Sequence, residues 1–302
     1  MYLQHFGMQE FPFRLTPDTS FFYCHQSQAE AMNVLMVALT AGEGFLKITG
    51  EVGTGKTMLC RKLLNLLEEQ GYVTAYIPDP FLSPSELRQA LATELHMRPT
   101  KTDNQHKLML RISKKLIGIR AKGKPVVLLI DEAQSMPLET LETLRLITNL
   151  ETEKDKLLQI VLFGQPELDE LLKQKEIRQL RQRISFSYYL KPMDKQTITQ
   201  YIQHRLHVAG YAQNALFNAA SLALITKASR GIPRLVNLLS HKALLTAYGK
   251  GEHHIGKRQI MAAIRDTEDT QFFEQKLSIL WIPVTLLLFA ALIAALNIGI
   301  PG

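Results

Sequence analysis

The sequence predicts an α/β fold. A parallel five-stranded sheet flanked by helices is followed by a small all-helical part and one apolar helix at the carboxyl end. Three observations predict it. A short strand-like run at 45–49, apolar except for Lys47 and Thr49, leads into Gly50-Glu51-Val52-Gly53-Thr54-Gly55-Lys56-Thr57, and a helical pattern from Met58 to Leu67 follows. Residues 126–130 form a near-continuous apolar run ending in Asp131-Glu132, as in a strand buried on both faces of a parallel sheet. After Pro192 the strand patterns stop and helical periodicity takes over.

Taken in order, residues 1–26 are an aromatic segment with Phe6-Gly7, Phe11-Pro12-Phe13 and Thr16-Pro17-Asp18. Its rings either line an adenine pocket or cap a small core. An amphipathic helix is expected over 27–40, a strand over 45–49, and a second strand over 73–77 that Pro78 and Pro80 stop. Ser83-Pro84-Ser85-Glu86 is a helix start signal, and that helix runs to about 96. A linker at 99–104 precedes a helix over 105–121 whose basic end reads as a solvated face favoured by the helix dipole. The third strand ends at Ile130, a helix fills 137–150, and the fourth strand covers 157–165. A short helix carrying Arg178, Arg181 and Arg183 leads into a fifth strand over 185–190. Helices are expected over 194–209, 214–228, 233–248 and 257–269. The domains are therefore 27–192 for the α/β part and 193–270 for the helical lid, with a linker over 271–278.

The 302 residues carry 35 Lys and Arg against 28 Asp and Glu, a net charge of +7. That excess suits nucleic acid or an anionic membrane and selects neither. Two cysteines, Cys24 and Cys60, make no disulfide framework, and both read as buried reduced thiols. The amino terminus has no signal-peptide pattern. Residues 277–302 contain no charge, and 279–300 are apolar enough to cross a bilayer, with Trp281 at the entrance and Pro283 in the first turn. Lys257, Arg258, Arg265 and Lys276 precede this stretch, so the positive-inside rule keeps the larger part in the cytoplasm.

The chemistry follows from the two motifs. In the phosphate-binding loop (Walker A), residues 50–58 turn backbone N–H groups toward phosphate at a helix start. Lys56 reaches the β- and γ-phosphates of ATP and Thr57 ligates Mg²⁺. Asp131 (Walker B) helps hold Mg²⁺, and Glu132 orients or deprotonates the attacking water. Gln165, ending the fourth strand, either touches the γ-phosphate or caps the next helix. One of the clustered arginines, Arg183 first and Arg181 next, serves a neighbouring subunit's γ-phosphate, or the cluster is a basic turn or a DNA contact. Arg234, in Gly231-Ile232-Pro233-Arg234, contacts the γ-phosphate or simply starts a helix.

The alternation of strands and helices with these motifs resembles the AAA+ ATPases over residues 25–268. The resemblance implies a P-loop AAA+ fold with strand order 5-1-4-3-2 and a homo-oligomeric ring or arc with ATP between subunits. It places Gln165 at sensor 1, Arg234 at sensor 2 and Arg183 at the finger. Sensor 1 is more often Asn or Thr, so Gln165 departs from the pattern. Phe6-Gly7, Pro12-Phe13, Thr16-Pro17-Asp18, Leu129-Ile130-Asp131-Glu132-Ala133-Gln134 and Gly164-Gln165-Pro166-Glu167-Leu168 are similar to the general-secretion-pathway A family of inner-membrane ATPases. The short form with one span is similar to its members serving mannose-sensitive haemagglutinin (type IV) pilus biogenesis. The implied partners are pilus or secretion inner-membrane assembly proteins and the bacterial inner membrane. Two rivals stand beside this. One is a DNA-associated ATPase of transposition or replication-loader type, against which the apolar stretch argues. The other is a scaffold switched by nucleotide, against which Glu132 argues.

Overall fold

The computed structural model describes residues 2–16, 18–98, 104–151, 156–213 and 215–270. The expected membrane helix at 279–300 and its linker at 271–278 lie outside them. Among the described residues no helix is long and apolar enough to cross a membrane.

Chain order begins with α1 (Tyr2–Phe6), α2 (Gln26–Thr40), β1 (Phe45–Gly50), α3 (Lys56–Glu69), β2 (Val73–Ile77), α4 (Pro84–Glu94) and α5 (Gln105–Arg120). It continues with β3 (Val126–Ile130), α6 (Leu138–Ile147), β4 (Gln159–Gly164), α7 (Glu167–Leu172), α8 (Arg178–Arg181) and β5 (Phe186–Leu190). Four helices close it: α9 (Lys195–Val208), α10 (Ala219–Ser229), α11 (Pro233–Tyr248) and α12 (Lys257–Arg265). The chain divides into two compact units. The α/β unit is Thr16–Met193 with Ile232–Arg234, and the helical unit takes in residues up to Leu15, Asp194–Gly231 and the chain from Leu235 onward.

In the α/β unit all five strands are parallel in the order β2-β3-β4-β1-β5, the order expected. Strand alternation builds the layers, because successive side chains leave opposite faces. Leu46, Ile48, Val127, Leu129, Val161 and Phe163 pack under α2 and α3. Phe45, Leu128, Ile130, Ile160 and Leu162 face the opposite way, onto α4, α5 and α6. β3 and β4 are buried at every position, whereas β5 shows most of its residues to solvent. The helices follow apolar spacing. In α3, Leu59, Leu63 and Leu67 recur every fourth residue, and in α5 Leu108, Ile112 and Leu116 do the same. The expected start of α4 is a full capping box between Ser83 and Glu86.

The helical unit includes the first 15 residues, so the aromatic segment expected as one piece over 1–26 is divided at Leu15 and Thr16. Tyr2, Phe6, Met8 and Phe13 are buried in this unit. Tyr2 meets His241 at 3.2 Å, Phe13 stands edge-on to Phe217, and Ala209 O accepts the Gln9 N–H at 2.8 Å. These rings are core, the second of the two readings. Helix α10 starts at Ala219 rather than near 214, because the Asn218 side chain caps Ser221 N and Phe217 forms a parallel bridge with Ile255. Cys60 is buried, and burial pushes its thiol well up, but Cys24 is exposed, against the expectation for both.

A buried polar chain runs through the helical unit. Arg205 donates to Pro12 O at 2.5 Å and to the Tyr201 hydroxyl at 2.9 Å, which donates to Asn237 Oδ1 at 2.9 Å. Tyr201→Phe leaves both neighbours short of a partner and is expected to destabilise this unit by about 1–3 kcal/mol. Denaturant titration of the variant against the parent measures this.

Candidate nucleotide-binding and catalytic site

The site gathers at the carboxyl ends of β1, β3 and β4, where ligands bind in open α/β sheets. The loop between β1 and α3 is shaped by its own bonds. Glu51 O accepts both the Thr54 N–H and its hydroxyl, at 3.2 and 2.8 Å. Gly55 caps α3 at φ 95°, and Gln28 of α2 is buried against it. Gly53 has φ 79°, and a Cβ there would stand 2.7 Å from Arg234 Cβ. Only glycine fits, because φ is positive and Arg234, whose N donates to Gly53 O at 3.3 Å, lies where a Cβ would stand. The backbone of Arg234 therefore rests on the loop, while its residue as a whole is exposed.

Lys56 is buried, and its Nζ donates to Gly50 O at 2.8 Å and Glu51 O at 2.9 Å. Burial pulls its pKa down, and the charges of Glu132, Asp131, Glu51 and Glu167 work against that. Asp131 is also buried, at the end of β3, where its N–H bonds Ile77 O at 3.0 Å. Burial raises its pKa. The Thr57 hydroxyl and the Glu132 N–H, 3.0 Å from Oδ1, donate to it and pull the other way. These oxygens, one hydroxyl and one carboxylate already facing each other, are the hard donors a Mg²⁺ ion takes.

Glu132 sits at φ 50°, in the left-handed region. Its Oε2 accepts Gln165 Nε2 at 3.0 Å and Gln134 Nε2 at 2.6 Å. The structure joins Glu132 to Gln165, a contact no spacing in the sequence implied, and adds Gln134, which the sequence alone did not single out. The signal was there in Asp131-Glu132-Ala133-Gln134, but only the pairing of β3 with β4 gives it meaning. Tyr189, whose hydroxyl donates to Glu51 Oε1 at 3.1 Å, was missed too. Val52 is exposed and Met58 half-buried at the start of α3. Arg183 is tied elsewhere: it is half-buried and donates to Thr148 Oγ1 at 2.8 Å, just past α6. Arg178 and Arg181 are exposed on α8.

Comparison with known proteins fits this geometry. Residues 39–172 match the AAA domain family. The fold is similar to Cdc6p of Pyrobaculum aerophilum, with a TM-score of 0.64 at 18% identity over 87% of this chain and 70% of that one. It is similar also to RuvB of Thermotoga maritima, with a TM-score of 0.52 at 17% identity over 83% and 73%. General secretion pathway protein A of Aeromonas hydrophila is 42% identical over 255 residues, which are 84% of this chain. This chain is a P-loop ATPase. The ATPase spans 46% of the length of that relative.

The Asp131 shift has a stability consequence. Because its pKa is raised in the fold, the contribution of this group is fully present below the ordinary Asp value of about 3.9 and is lost as pH rises through the raised value. At pH 7 the buried carboxylate is therefore a cost. Asp131→Asn keeps an acceptor for Thr57 and Glu132, and is expected to stabilise the ATPase without nucleotide by about 0.5–2 kcal/mol. The gain should shrink toward pH 4 while hydrolysis is lost. Melting curves across pH, beside a phosphate-release assay, check both.

Proposed function

We propose that the ATPase is a membrane-anchored member of the secretion-pathway A group. It hydrolyses ATP to support assembly of a type IV pilus, in the manner of the mannose-sensitive haemagglutinin pilus protein MshM, or of a secretion apparatus. The observation that carries this reading is the 42% identity to general secretion pathway protein A. The uncharged stretch at 279–300 supports an anchor in the bacterial inner membrane, with the ATPase in the cytoplasm.

In the proposed cycle the N–H groups of the loop and Lys56 bind the phosphates of ATP. Thr57 and Asp131 would hold Mg²⁺, which when bound neutralises developing phosphate charge. Glu132 takes a proton from water as the water oxygen bonds to the γ-phosphorus and the bond to the β-phosphate oxygen breaks, giving ADP and phosphate. Gln165 and Arg234 contact the γ-phosphate. The copies assemble in a ring or arc, where Arg183 of one copy serves the ATP of the next once it exchanges Thr148 for phosphate oxygen.

Glu132→Gln is expected to lower turnover by about 10²–10⁴-fold with ATP still bound. Arg183→Ala is expected to lose about 10³-fold or more while keeping nucleotide affinity. The ATP-trapped Glu132→Gln protein, extracted gently from membranes, is expected to carry pilus-platform or secretion subunits, identified by mass spectrometry. Nuclease-sensitive DNA with replication or recombination proteins in their place would sink the assembly role and leave the ATPase.

A further inference from the structure

Glu132, Gln134 and Gln165 close a set of hydrogen bonds across the ends of β3 and β4. Gln134 Nε2 donates to Glu132 Oε2 at 2.6 Å, Gln165 Nε2 donates to the same oxygen at 3.0 Å, and Gln134 Oε1 accepts the Gln165 backbone N–H at 3.0 Å. The partners fix which way the Gln134 amide points. A backbone N–H must face its oxygen, and a carboxylate must face its nitrogen. The neighbouring backbone leaves room for it: a Cβ at Gly164 would stand 3.3 Å from Gln134 Oε1 and 2.7 Å from Leu168. Glu132 itself occupies a left-handed conformation at φ 50°, which persists only where its surroundings hold it.

We infer that Gln134 is a positioning residue for hydrolysis, tying the Glu132 carboxylate to the end of β4 through the turnover. The inference rests on the reading of Glu132 as the base. Its point is that Gln134 grips the backbone of Gln165 and not the side chain. Gln165 Nε2 is therefore able to leave Glu132 for the γ-phosphate without releasing Gln134, and Glu132 stays aimed. Both amide donors sit on Oε2, which leaves Oε1 to take the proton from water.

The test compares steady-state hydrolysis and ATP affinity of the full chain with those of Glu132→Gln, Gln134→Leu and Gln134→His. Gln134→Leu is expected to lower kcat about 10–100-fold, the ordinary cost of losing a group that orients a reacting one. KM and the Kd for ATP should stay within about threefold, because a residue acting only on the transition state moves kcat alone. Gln134→His should recover most of the loss, since a neutral imidazole also carries one donor and one acceptor. If Gln134→Leu does not melt cooperatively, Gln134→Glu, which keeps the shape and the acceptor but not the donor, should show the same fall in kcat. Parental kcat in Gln134→Leu or Gln134→Glu, or a histidine variant no better than leucine, would overturn the inference. Those outcomes with an inactive Glu132→Gln remove Gln134 alone. An active Glu132→Gln removes the base assignment, and this inference with it.

Discussion

Two ionisable groups of opposite sign, Lys56 and Asp131, are buried at one end of the sheet, and burial works against the charge of each. Taking charges out of water is costly unless they are paired and hydrogen-bonded. The surrounding structure supplies those bonds. Two loop carbonyls take the Lys56 ammonium, and the Thr57 hydroxyl and the Glu132 N–H take the Asp131 carboxylate. The apolar layers above and below β3 and β4 keep water away, so the same packing that stabilises the unit sharpens the electrostatics of its site. A site built this way is less stable than it would be with neutral groups, which is the usual relation between a catalytic centre and its scaffold.

Much of this was legible in the sequence because the chemistry is local. The phosphate loop and the Asp131-Glu132 pair are each contiguous, and each stands where an apolar strand ends. The strand order came from the resemblance rather than from any periodicity, and the parallel pairing of β1 with β4 and β5 matches it. What could not be read was long-range. Gln134 meets the Gln165 backbone across 31 residues of chain, and Tyr2 meets His241 across 239. Periodicity has no term for either. The start of α10 failed for a different reason. Residues 216 and 217 are apolar and buried, but they are spent on a bridge with Ile255, and the polar Asn218 sets the true boundary.

The arginine cluster leads from the short helix α8 into β5. Sequence spacing brought Arg183 forward, and the structure gives it a partner, Thr148, whose hydroxyl also donates to Arg145 O at 2.7 Å. The hydrogen bond that holds the guanidinium is to a neutral hydroxyl, and its charge also acts on the exposed Glu151 carboxylate, so letting go costs little. A guanidinium in a carboxylate pair would be harder to release.

The helical unit is sewn from both ends of the described chain, with residues 2–15 set among helices that follow residue 194. During synthesis the first turn of chain therefore emerges long before its partners. The α/β unit has nearly all of its own residues by position 193 and lacks only Ile232–Arg234. A ribosome adding about 5–20 residues each second leaves Tyr2, Phe6 and Phe13 uncovered for many seconds. The order of completion is then set by topology. The nucleotide-binding half can complete first, and the apolar leading segment waits for the helices that follow residue 194.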